Sequence, residues 1–597
     1  MQRTTIGLLA TAGMLIVCGE ATARSTYEAT YEGDPVVVTA TRSQQTVDDS
    51  LASVSVITRD DIERAQAPDL LELLRLETGI DIARSGGPGG QTSVFMRGSN
   101  SNHVLVLIDG VRVSAAGSGA FTWEIIDPAI VERIEIVRGP RAARWGSDAV
   151  GGVIQIFTRL SDGAGARAAY GRYDDRQLSA HWGNGFIGFN IAGRRVEGFS
   201  SQNPSGFAYD PDDDGFENLS FSARSDHALG GGQMAWSARF AGGDVEFDQG
   251  ESDFLNYALR GSYSRRTAGP WTWEGSAAFY RDDLETDNGF SISDAETHRI
   301  QAGLQAERPI AGDTSWLLGI DAWQVEGDTS GSFNEDRDNI GVWTGIDGRR
   351  DALSWEASLR ADHDGQFGSA LTGNLAGGWR LGERLRLSAS AGRAFRAPSF
   401  SQLYSPGFGG QYAGNPDLDP ETSISGELGL DWFGPGGHGL GLSVYQNDID
   451  DLIAFSGPQF QAINVEKARI RGAELSYRFR ARRWRAESNL TWQDAQNRTT
   501  DSDLLRRADI KGSIALDRTF ANDGWLGAEV VHVGERPDFG TELPSYTLVN
   551  LRAGWPLGAG LTLEGRLENL TDEDYEPLAG YNAHRRSAFV ALRWRTP

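Results

Sequence analysis

The sequence predicts an all-β protein: a transmembrane, antiparallel β-barrel of about 22 strands with an N-terminal α/β plug domain inside its lumen. Two observations predict this class. Residues 36–158 have the mixed strand and helix pattern of a small α/β module, whereas residues 159–597 alternate between apolar and polar side chains. The 75 glycines and the 10% of aromatic residues suit many tight turns and interfacial aromatic girdles.

The alternation is clear in the last predicted strand of the chain. Leu592 and Trp594 alternate with Arg593 and Arg595. A segment that begins at Leu385 shows the same pattern. One face is apolar and the other is charged, which suits lipid outside and a water-filled or plugged lumen inside. At about 20 residues for each strand and its connection, this part gives about 22 strands. A β-propeller or a string of sandwiches would need repeated motifs, and none recurs.

The composition excludes several other classes of protein. The mean hydropathy of −0.38, and the lack of an apolar run of about 18 residues after the leader, exclude a helical membrane protein. The net charge of −26 argues against a nucleic-acid partner, because phosphates attract lysine and arginine. No metalloprotease, serine-hydrolase or P-loop motif occurs, so we predict that the protein is not an enzyme.

The first 23 residues have the pattern of a cleaved secretory signal peptide. Arg3 supplies the positive charge, Ile6–Val17 the apolar segment and Ala21–Ala23 the cleavage site. The single cysteine, Cys18, lies inside this leader, so the mature chain would have no disulfide. The division that we expect is a signal peptide, a flexible N-terminus, a plug domain and a barrel, at residues 1–23, 24–49, 50–158 and 159–597.

Within the predicted plug, strands alternate with two short helices. We expect a strand at Ser53–Thr58, then a helix that starts near Asp61 and is capped by Thr58. A second helix should begin at Leu70 and end at Gly79. Four later segments have continuous apolar runs, which indicate strands buried on both faces. These segments lie at 94–98, 104–110, 134–140 and 151–157.

Several strings in the plug and the barrel occur in the order of a known family. They are Phe95–Gly98, Leu107–Gly110, Val131–Pro140, Trp145–Gly152, Phe395–Phe400, Gly414–Glu421 and Asn569–Asp572. They resemble the TonB-dependent receptors of the outer membrane, and the resemblance extends from residue 34 to the last strand. Within that family, His103–Arg112 and Arg138–Arg141 are most similar to the receptors for cobalamin (vitamin B12).

This resemblance implies energy-coupled import of a large, scarce nutrient across the outer membrane of a Gram-negative cell. Cobalamin or a related corrinoid is the expected substrate, and a siderophore or haem receptor of the same family is the alternative. A passive porin is less favoured, because a plug blocks passive flow. The expected partners of the monomeric receptor are outer-membrane lipid and the periplasmic protein TonB, acting with ExbB and ExbD.

The resemblance also assigns a TonB box to a β-branched run behind a proline. With no local strand to pair with, such a segment suits addition as a β-strand to a periplasmic partner. An ordinary linker is the alternative. The residues of the predicted box are Asp34, Pro35, Val36, Val37, Val38, Thr39, Ala40 and Thr41.

Alternating carboxylates before a glycine indicate a Ca²⁺ site, because they bring several hard oxygen ligands together. A solvated acidic loop is the alternative. The family's pattern extends the set to the next loop, and one acid of that pattern is replaced by Ser200, which would weaken or remove one calcium. The predicted ligands are Asp210, Asp212, Asp214, Asp248 and Asp253.

The resemblance also implies that two apical plug loops contact the substrate. One loop flanks Phe95–Gly98, and the other follows Val111–Ser114. Small polar groups and glycines permit close approach to a bulky corrinoid and hydrogen bonds to its amides. An ordinary loop residue is the alternative at each position. The residues that match the family's contacts are Gln91, Ser93, Asn100, Ser118 and Gly119.

Overall fold

A closed barrel of 22 antiparallel strands surrounds the N-terminal part of the chain, as the sequence predicts. The architecture comes from a computed structural model, which describes residues 36–37, 42, 45–407, 412–456 and 460–596. The predicted leader lies outside the described residues. Each barrel strand pairs with its neighbours in sequence, and the first strand closes the barrel by pairing with the last, with Ala168 opposite Leu592.

The N-terminal part is a small mixed domain. Its strands are β1 (Val36–Val37), β2 (Gln45–Thr46), β3 (Val54–Ile57), β4 (Ile80–Arg84), β5 (Thr92–Met96), β6 (Val104–Ile108), β7 (Val111–Arg112), β8 (Val131–Arg138) and β9 (Gly152–Thr158). Its helices are α1 (Arg59–Ala65), α2 (Leu70–Leu74) and α3 (Ala142–Trp145), with 3-10 turns at Val47–Asp49, Ser101–His103, Trp123–Ile125 and Pro128–Ile130. The main sheet has the order β3-β8-β9-β6-β7, with β6 and β9 parallel, and β4 and β5 form a separate hairpin.

Both predicted plug helices are present, but their limits differ from the prediction. A capping box starts α1 at Arg59, because the Thr58 hydroxyl accepts the N–H of Asp61 while the Asp61 carboxylate accepts the N–H of Thr58. Helix α2 ends at Leu74, well before Gly79, since the chain must turn there to enter β4. The hairpin strand β4 is a feature that the sequence patterns did not predict.

The barrel part contains long strands and a few short elements within loops. Its elements are β10 (Asp162–Gly171), β11 (Asp175–Asn184), β12 (Ile187–Val196), β13 (Phe216–Leu229), β14 (Gly232–Phe247), β15 (Gly250–Arg266), β16 (Thr272–Asp287), β17 (Ile292–Ala311), β18 (Thr314–Thr329), β19 (Phe333–Arg350), β20 (Leu353–Asp364), β21 (Gly368–Leu381), β22 (Leu385–Arg396), α4 (Phe400–Tyr404), β23 (Glu421–Phe433), β24 (His438–Ser456), β25 (Gln461–Ala481), β26 (Trp484–Asn497), β27 (Ser502–Asp503), β28 (Ile510–Thr519), β29 (Trp525–Val533), β30 (Arg536–Asp538), β31 (Thr541–Leu543), β32 (Tyr546–Gly558), β33 (Leu561–Glu568) and β34 (Ser587–Arg595), with a 3-10 turn at Arg172–Asp174. All of these strands except β27, β30 and β31 form the wall.

The two faces of the wall have opposite character, as the alternation predicts. On β33, Leu563 and Leu567 are exposed on the outside, whereas Glu564 and Arg566 are buried in the lumen. The apolar face is outside because lipid there takes the place of a protein core. The charged face is inside because charged side chains of the wall form ion pairs and hydrogen bonds with the plug there, and those of the plug with the wall.

The two ends of the barrel also differ. One end has short turns, such as 185–186 and 230–231, and the other has long loops, such as 197–215 and 569–586. Outer-membrane barrels have short periplasmic turns and long extracellular loops, so the long-loop end is the extracellular one. No helix among the described residues is long and apolar enough to cross a membrane.

Candidate functional site

Gln91 ends a plug loop, 85–91, that packs against the barrel loop between β12 and β13, and Ser93 follows in strand β5. A Cβ added at Gly86, where φ is +85°, would lie 2.5 Å from the Cβ of Ser201. Glycine therefore permits both the left-handed conformation and the close approach. Gln91 is exposed at the extracellular mouth, whereas Ser93 is half-buried in β5.

Ser118 and Gly119 lie on a second plug loop, which the region of α4 holds in place. The N–H of Ser401 donates to the carbonyl of Gly117 at 3.0 Å. Ser118 is exposed. Gly119 has a φ of +72°, and a Cβ there would lie 3.5 Å from the Cβ of Asn102. This loop therefore touches the 3-10 turn that follows Asn100.

Asn100 is fixed from the barrel side by an arginine that the sequence analysis did not identify. Its Oδ1 accepts a hydrogen bond from Arg507 at 2.6 Å, and the same guanidinium donates to the carbonyl of Gly98 at 3.0 Å. Arg507 also lies 4.1 Å from the ring centroid of Phe95. The structure thus brings Asn100 and Gly119 into one apical surface, next to a cationic side chain from the wall.

Asp214 and Asp248 form the centre of the predicted calcium site. The Asp214 carboxylate accepts the N–H of Ser201 at 2.6 Å, and Asp248 accepts those of Gln202 and Asp210 at 2.6 and 2.9 Å. Burial raises the pKa of Asp214 to about 6, and repulsion from Asp248 contributes to the shift. Among the described residues, no arginine or lysine forms an ion pair with either acid.

Of the other predicted calcium ligands, Asp210 and Asp212 lie beside this pair, whereas Asp253 faces the outside of the barrel. Asp210 is joined to the pair through its own N–H, and Asp212 is exposed nearby. Asp253 lies on β15, exposed on the outer face and directly opposite Asp244 in the ladder. Ser200, where the family has a further acid, donates its hydroxyl to the carbonyl of Asp210 at 2.8 Å.

Two residues of the predicted TonB box are described, and both are paired. Val36 and Val37 lie antiparallel to Thr46 and Gln45. The expectation that this segment has no local strand to pair with is therefore wrong, because the chain turns back on itself within a few residues. The other residues of the predicted box lie outside the described residues: Asp34, Pro35, Val38, Thr39, Ala40 and Thr41.

Arg42 fastens this N-terminal segment inside the barrel. Its guanidinium lies 2.9 Å from the Asp321 carboxylate on β18 and 4.5 Å from the ring centroid of Trp145 in the plug. A few residues later, Asp49 pairs with Arg349 at 3.0 Å, at the short-turn end of β19. The segment is thus anchored at the periplasmic mouth to both the plug and the wall.

A buried arginine joins the plug to strands β23 and β25 of the wall. Arg97 lies 2.9 Å from Glu427 on β23 and 2.8 Å from Glu474 on β25, and the exposed fractions of these three side chains are 6%, 13% and 4%. Both carboxylates pair with the one guanidinium, which also donates a hydrogen bond to Ser443. Removing one member of such a site leaves a buried charge without its partner and is strongly destabilising.

A second buried contact lies nearer the extracellular mouth. His103 in the plug is fully buried, and its Nε2 lies 2.9 Å from the Glu421 carboxylate at the start of β23. Arg396 at the end of β22 pairs with the same carboxylate. Since Arg396 also donates to Gln402 in α4, this contact links the plug to the loop that supports Gly119.

Glu124 is a half-buried plug residue whose carboxyl group has one buried, unsatisfied oxygen among the described residues. Its Oε1 accepts the N–H of Thr92 at 3.1 Å, and its Oε2 has no hydrogen-bond partner. Burial raises the pKa of Glu124 to about 8. The folded plug therefore retains a proton on Glu124 in a range of pH where the unfolded chain has released it.

We expect Glu124→Gln to remove a pH dependence of plug stability. Between the ordinary pKa near 4.5 and the raised value near 8, the unfolded chain binds fewer protons, so the free energy of unfolding falls as pH rises. The variant should gain about 3 kcal/mol over the wild type at pH 7 and nothing below pH ~4.5. Urea unfolding of the plug at pH 4.5 and pH 7 measures this difference. Equal denaturation midpoints of variant and wild type at pH 7 would contradict it.

The barrel is filled by its own N-terminal domain, with a loop-lined surface at one mouth and an anchored strand at the other. This arrangement defines a plugged outer-membrane receptor. The chain belongs to the TonB-dependent receptor family. Its plug-domain model matches residues 46–153, and the model for the TonB-dependent receptor-like β-barrel matches residues 155–570.

Two relatives are similar to this protein over nearly the whole chain. The vitamin B12 transporter BtuB of Vibrio vulnificus is 31% identical over 607 residues, covering 94% of this chain and 95% of that protein. The protein of the same name from Photobacterium profundum is 30% identical over 593 residues, with the same coverage. A solved ferric enterobactin receptor, PfeA of Pseudomonas aeruginosa, shares the fold with a TM-score of 0.77 at 18% identity, covering 91% of this chain and 99% of that one.

Proposed function

We propose that this receptor imports cobalamin or a related corrinoid across the outer membrane, with work supplied through TonB. The observation that carries the proposal is the similarity, over 94% of the chain, to proteins named vitamin B12 transporters. The filled lumen favours energy-coupled release over passive flow. Differential affinity alone cannot drive net transport, so work must be delivered to the plug.

Equilibrium binding to the purified receptor tests the substrate. Cyanocobalamin should bind at least about 100-fold more tightly than a ferric catecholate or haem, a difference of about 2.8 kcal/mol. Asn100→Ala should weaken cobalamin binding, whereas Ser262→Ala, on the wall towards the periplasmic end, is the matched control and should not. Tight binding of a ferric chelate without cobalamin binding would assign the receptor to the siderophore branch.

The coupling element of this proposal is the segment 34–41. Val36 and Val37 already have a strand partner in β2, and a periplasmic partner would form the same kind of backbone ladder. A cavity of about 370 Å³ lies beside β2 at the periplasmic mouth, lined in part by Gln45, Asp49 and Arg349. This cavity leaves room for an incoming strand next to the segment.

Calcium is the proposed stabiliser of the extracellular loops, with Asp210, Asp212, Asp214 and Asp248 as its ligands. The fifth predicted ligand, Asp253, is left out of this proposal, because it lies on the outer face of β15. Buried carboxylates without a basic partner repel each other, and a divalent cation with oxygen ligands relieves that repulsion. The loop between β12 and β13 contacts the plug loop at Gly86. The degree to which this barrel loop is ordered therefore affects the apical surface directly.

Asp212→Asn combined with Asp214→Asn should weaken ligand binding by about tenfold while the barrel stays folded, because the loop loses its cation and its preorganisation. Asp213→Asn, at an exposed neighbour between them, is the matched control and should bind normally. The measurement is ligand affinity in millimolar Ca²⁺ and in excess EDTA. If the wild type binds equally under both conditions, these acids are only a solvated loop.

A further inference from the structure

The outer face of β17 defines where the hydrocarbon of the membrane ends. Between His298 and Arg308, every outward side chain of this strand is apolar: Ile300, Ala302, Leu304 and Ala306. At about 3.3 Å per residue and a tilt of about 45°, that stretch spans roughly 25 Å, which matches the apolar band of an outer-membrane barrel. Arg308 therefore lies at the periplasmic edge of the hydrocarbon, at the level of lipid headgroups.

Arg308 is part of a compact cluster on the outer wall, the arginine–tryptophan patch, formed by Arg265, Trp271, Trp273, Arg308 and Trp316. The guanidinium of Arg308 lies 5.7 Å from the ring centroid of Trp271. That ring lies 6.0 Å from Trp273 and 5.5 Å from Trp316. Arg265 stands directly opposite Trp273 in the ladder between β15 and β16.

The two arginines of the patch have no ionic partner within the part of the chain that the structure describes. Both are exposed. The acid of the adjacent turn, Asp313, is paired with Arg349 at 3.3 Å. An exposed arginine near the other rim, Arg195, has its own partner in Glu217 at 2.8 Å. The patch thus presents two uncompensated positive charges beside a set of indole rings.

The outer face of β14 to β16 has the opposite charge near the extracellular end. Asp244, Asp253 and Glu285 there have no ion pair with any described residue, whereas Glu217 on β13 is paired with Arg195. Glu217, Asp244, Asp253 and Glu285 form a cross-strand row on the same outer face, each opposite the next in the ladder. A row of carboxylates repels a phosphate group. An anionic lipid is therefore attracted to the periplasmic end of this barrel and not to its extracellular end.

The same arrangement recurs elsewhere around the periplasmic rim. Arg518, near the end of β28, lies 5.1 Å from the ring centroid of Trp484 and 5.5 Å from that of Phe520. It too lacks an ion pair with any described residue. Phe520 in turn lies 6.1 Å from Trp555. A pairing of free arginine with exposed aromatic rings is therefore a repeated feature of this rim.

We propose that the arginine–tryptophan patch binds the headgroup of an anionic phospholipid in the periplasmic leaflet of the outer membrane. A guanidinium donates two parallel hydrogen bonds to a phosphate. Indole rings at the membrane interface pack against the glycerol region. The acyl chains then lie along the apolar outer face above Arg308, which favours a lipid over a soluble phosphate. This site is independent of the substrate that the receptor imports.

The test is a titration of the purified full-length receptor, in detergent, with phosphatidylglycerol and with phosphatidylcholine. The wild type should bind phosphatidylglycerol more tightly. Arg265→Gln combined with Arg308→Gln should lose about 30-fold in that affinity, equal to about 2 kcal/mol, with no change for phosphatidylcholine. Arg265→Lys combined with Arg308→Lys should retain most of the preference, because the charge is retained.

The matched control is Arg176→Gln combined with Arg195→Gln, which removes two exposed arginines near the extracellular rim and should leave phosphatidylglycerol binding unchanged. In the wild type, the preference should also fall as salt rises from about 0.05 to 0.5 M, because exposed charges are screened. Equal affinity for the two lipids, an undiminished affinity in the glutamine variant, or displacement of the lipid by millimolar inorganic phosphate would overturn the proposal.

Discussion

Val37→Pro should abolish import while leaving ligand binding intact. Proline has no N–H and cannot serve a strand ladder in that position, so the proposed pairing of this segment with TonB should fail. We expect the transport rate to fall by about 100-fold or more, a loss that corresponds to at least about 2.8 kcal/mol of coupling. Uptake of labelled cobalamin by whole cells measures transport, and equilibrium binding to the same cells measures retention of the ligand.

A matched variant separates the observed pairing of Val37 with β2 from its proposed pairing with TonB. Gln45→Pro breaks the pairing of Val37 with β2 but leaves the segment 34–41 itself unchanged. If TonB binds the segment 34–41, as we propose, and not β2, import should remain near the wild-type rate. Normal import by Val37→Pro would show that this segment is an ordinary linker, whichever result Gln45→Pro gives.

Arg97→Leu should loosen the plug and open a leak through the barrel. It leaves Glu427 and Glu474 buried beside each other without a guanidinium, and breaking a buried ionic site in this way costs about 3–5 kcal/mol. We expect plug unfolding at lower urea and a measurable ion conductance in planar bilayers, where the wild type should conduct little. The barrel itself should remain folded, because its strands pair with one another and not with the plug.

The control for Arg97→Leu removes the carboxylates together with the guanidinium. Arg97→Leu combined with Glu427→Gln and Glu474→Gln leaves no uncompensated charge, so most of the lost stability should return. A wild-type urea midpoint and no conductance in the single variant would mean that other plug contacts, such as His103 with Glu421, carry the stability of the plug alone.

The wall of this protein could be predicted because its determinants are local. Leu563 and Leu567 alternate with Glu564 and Arg566, and a period of two assigns each side chain to one face of a strand. The apolar outer face reflects the lipid solvent, which acts equally on every strand, so the strand number follows from the length. The helix at Leu70 was predicted for a similar reason, although its end was not.

The site was only partly predictable, because tertiary contacts decide which side chains meet. The alternating acids before Gly215 are visible in the sequence, but only the fold of the two loops places Asp214 beside Asp248. Asp253 faces the outside because it belongs to β15, where alternate side chains point outwards. The partner of Asn100 is Arg507, more than four hundred residues away in the chain. No short-range pattern in the sequence identifies such a contact.

The sequence by itself determined the barrel, its approximate strand number, the presence of a plug and the family resemblance, since each depends on periodicity or on contiguous strings. Only the tertiary structure decided that Val37 is already paired with Gln45, that Arg42 anchors this segment, and that Arg97 meets two glutamates of the wall. Arg42 and Arg97 meet residues that are 279 and 377 positions away in the chain. The closure of the barrel around the plug chooses these partners, and it depends on all strands at once. The pairing of Val37 with Gln45 is local, but it depends on a turn of the chain that no motif in the sequence indicates.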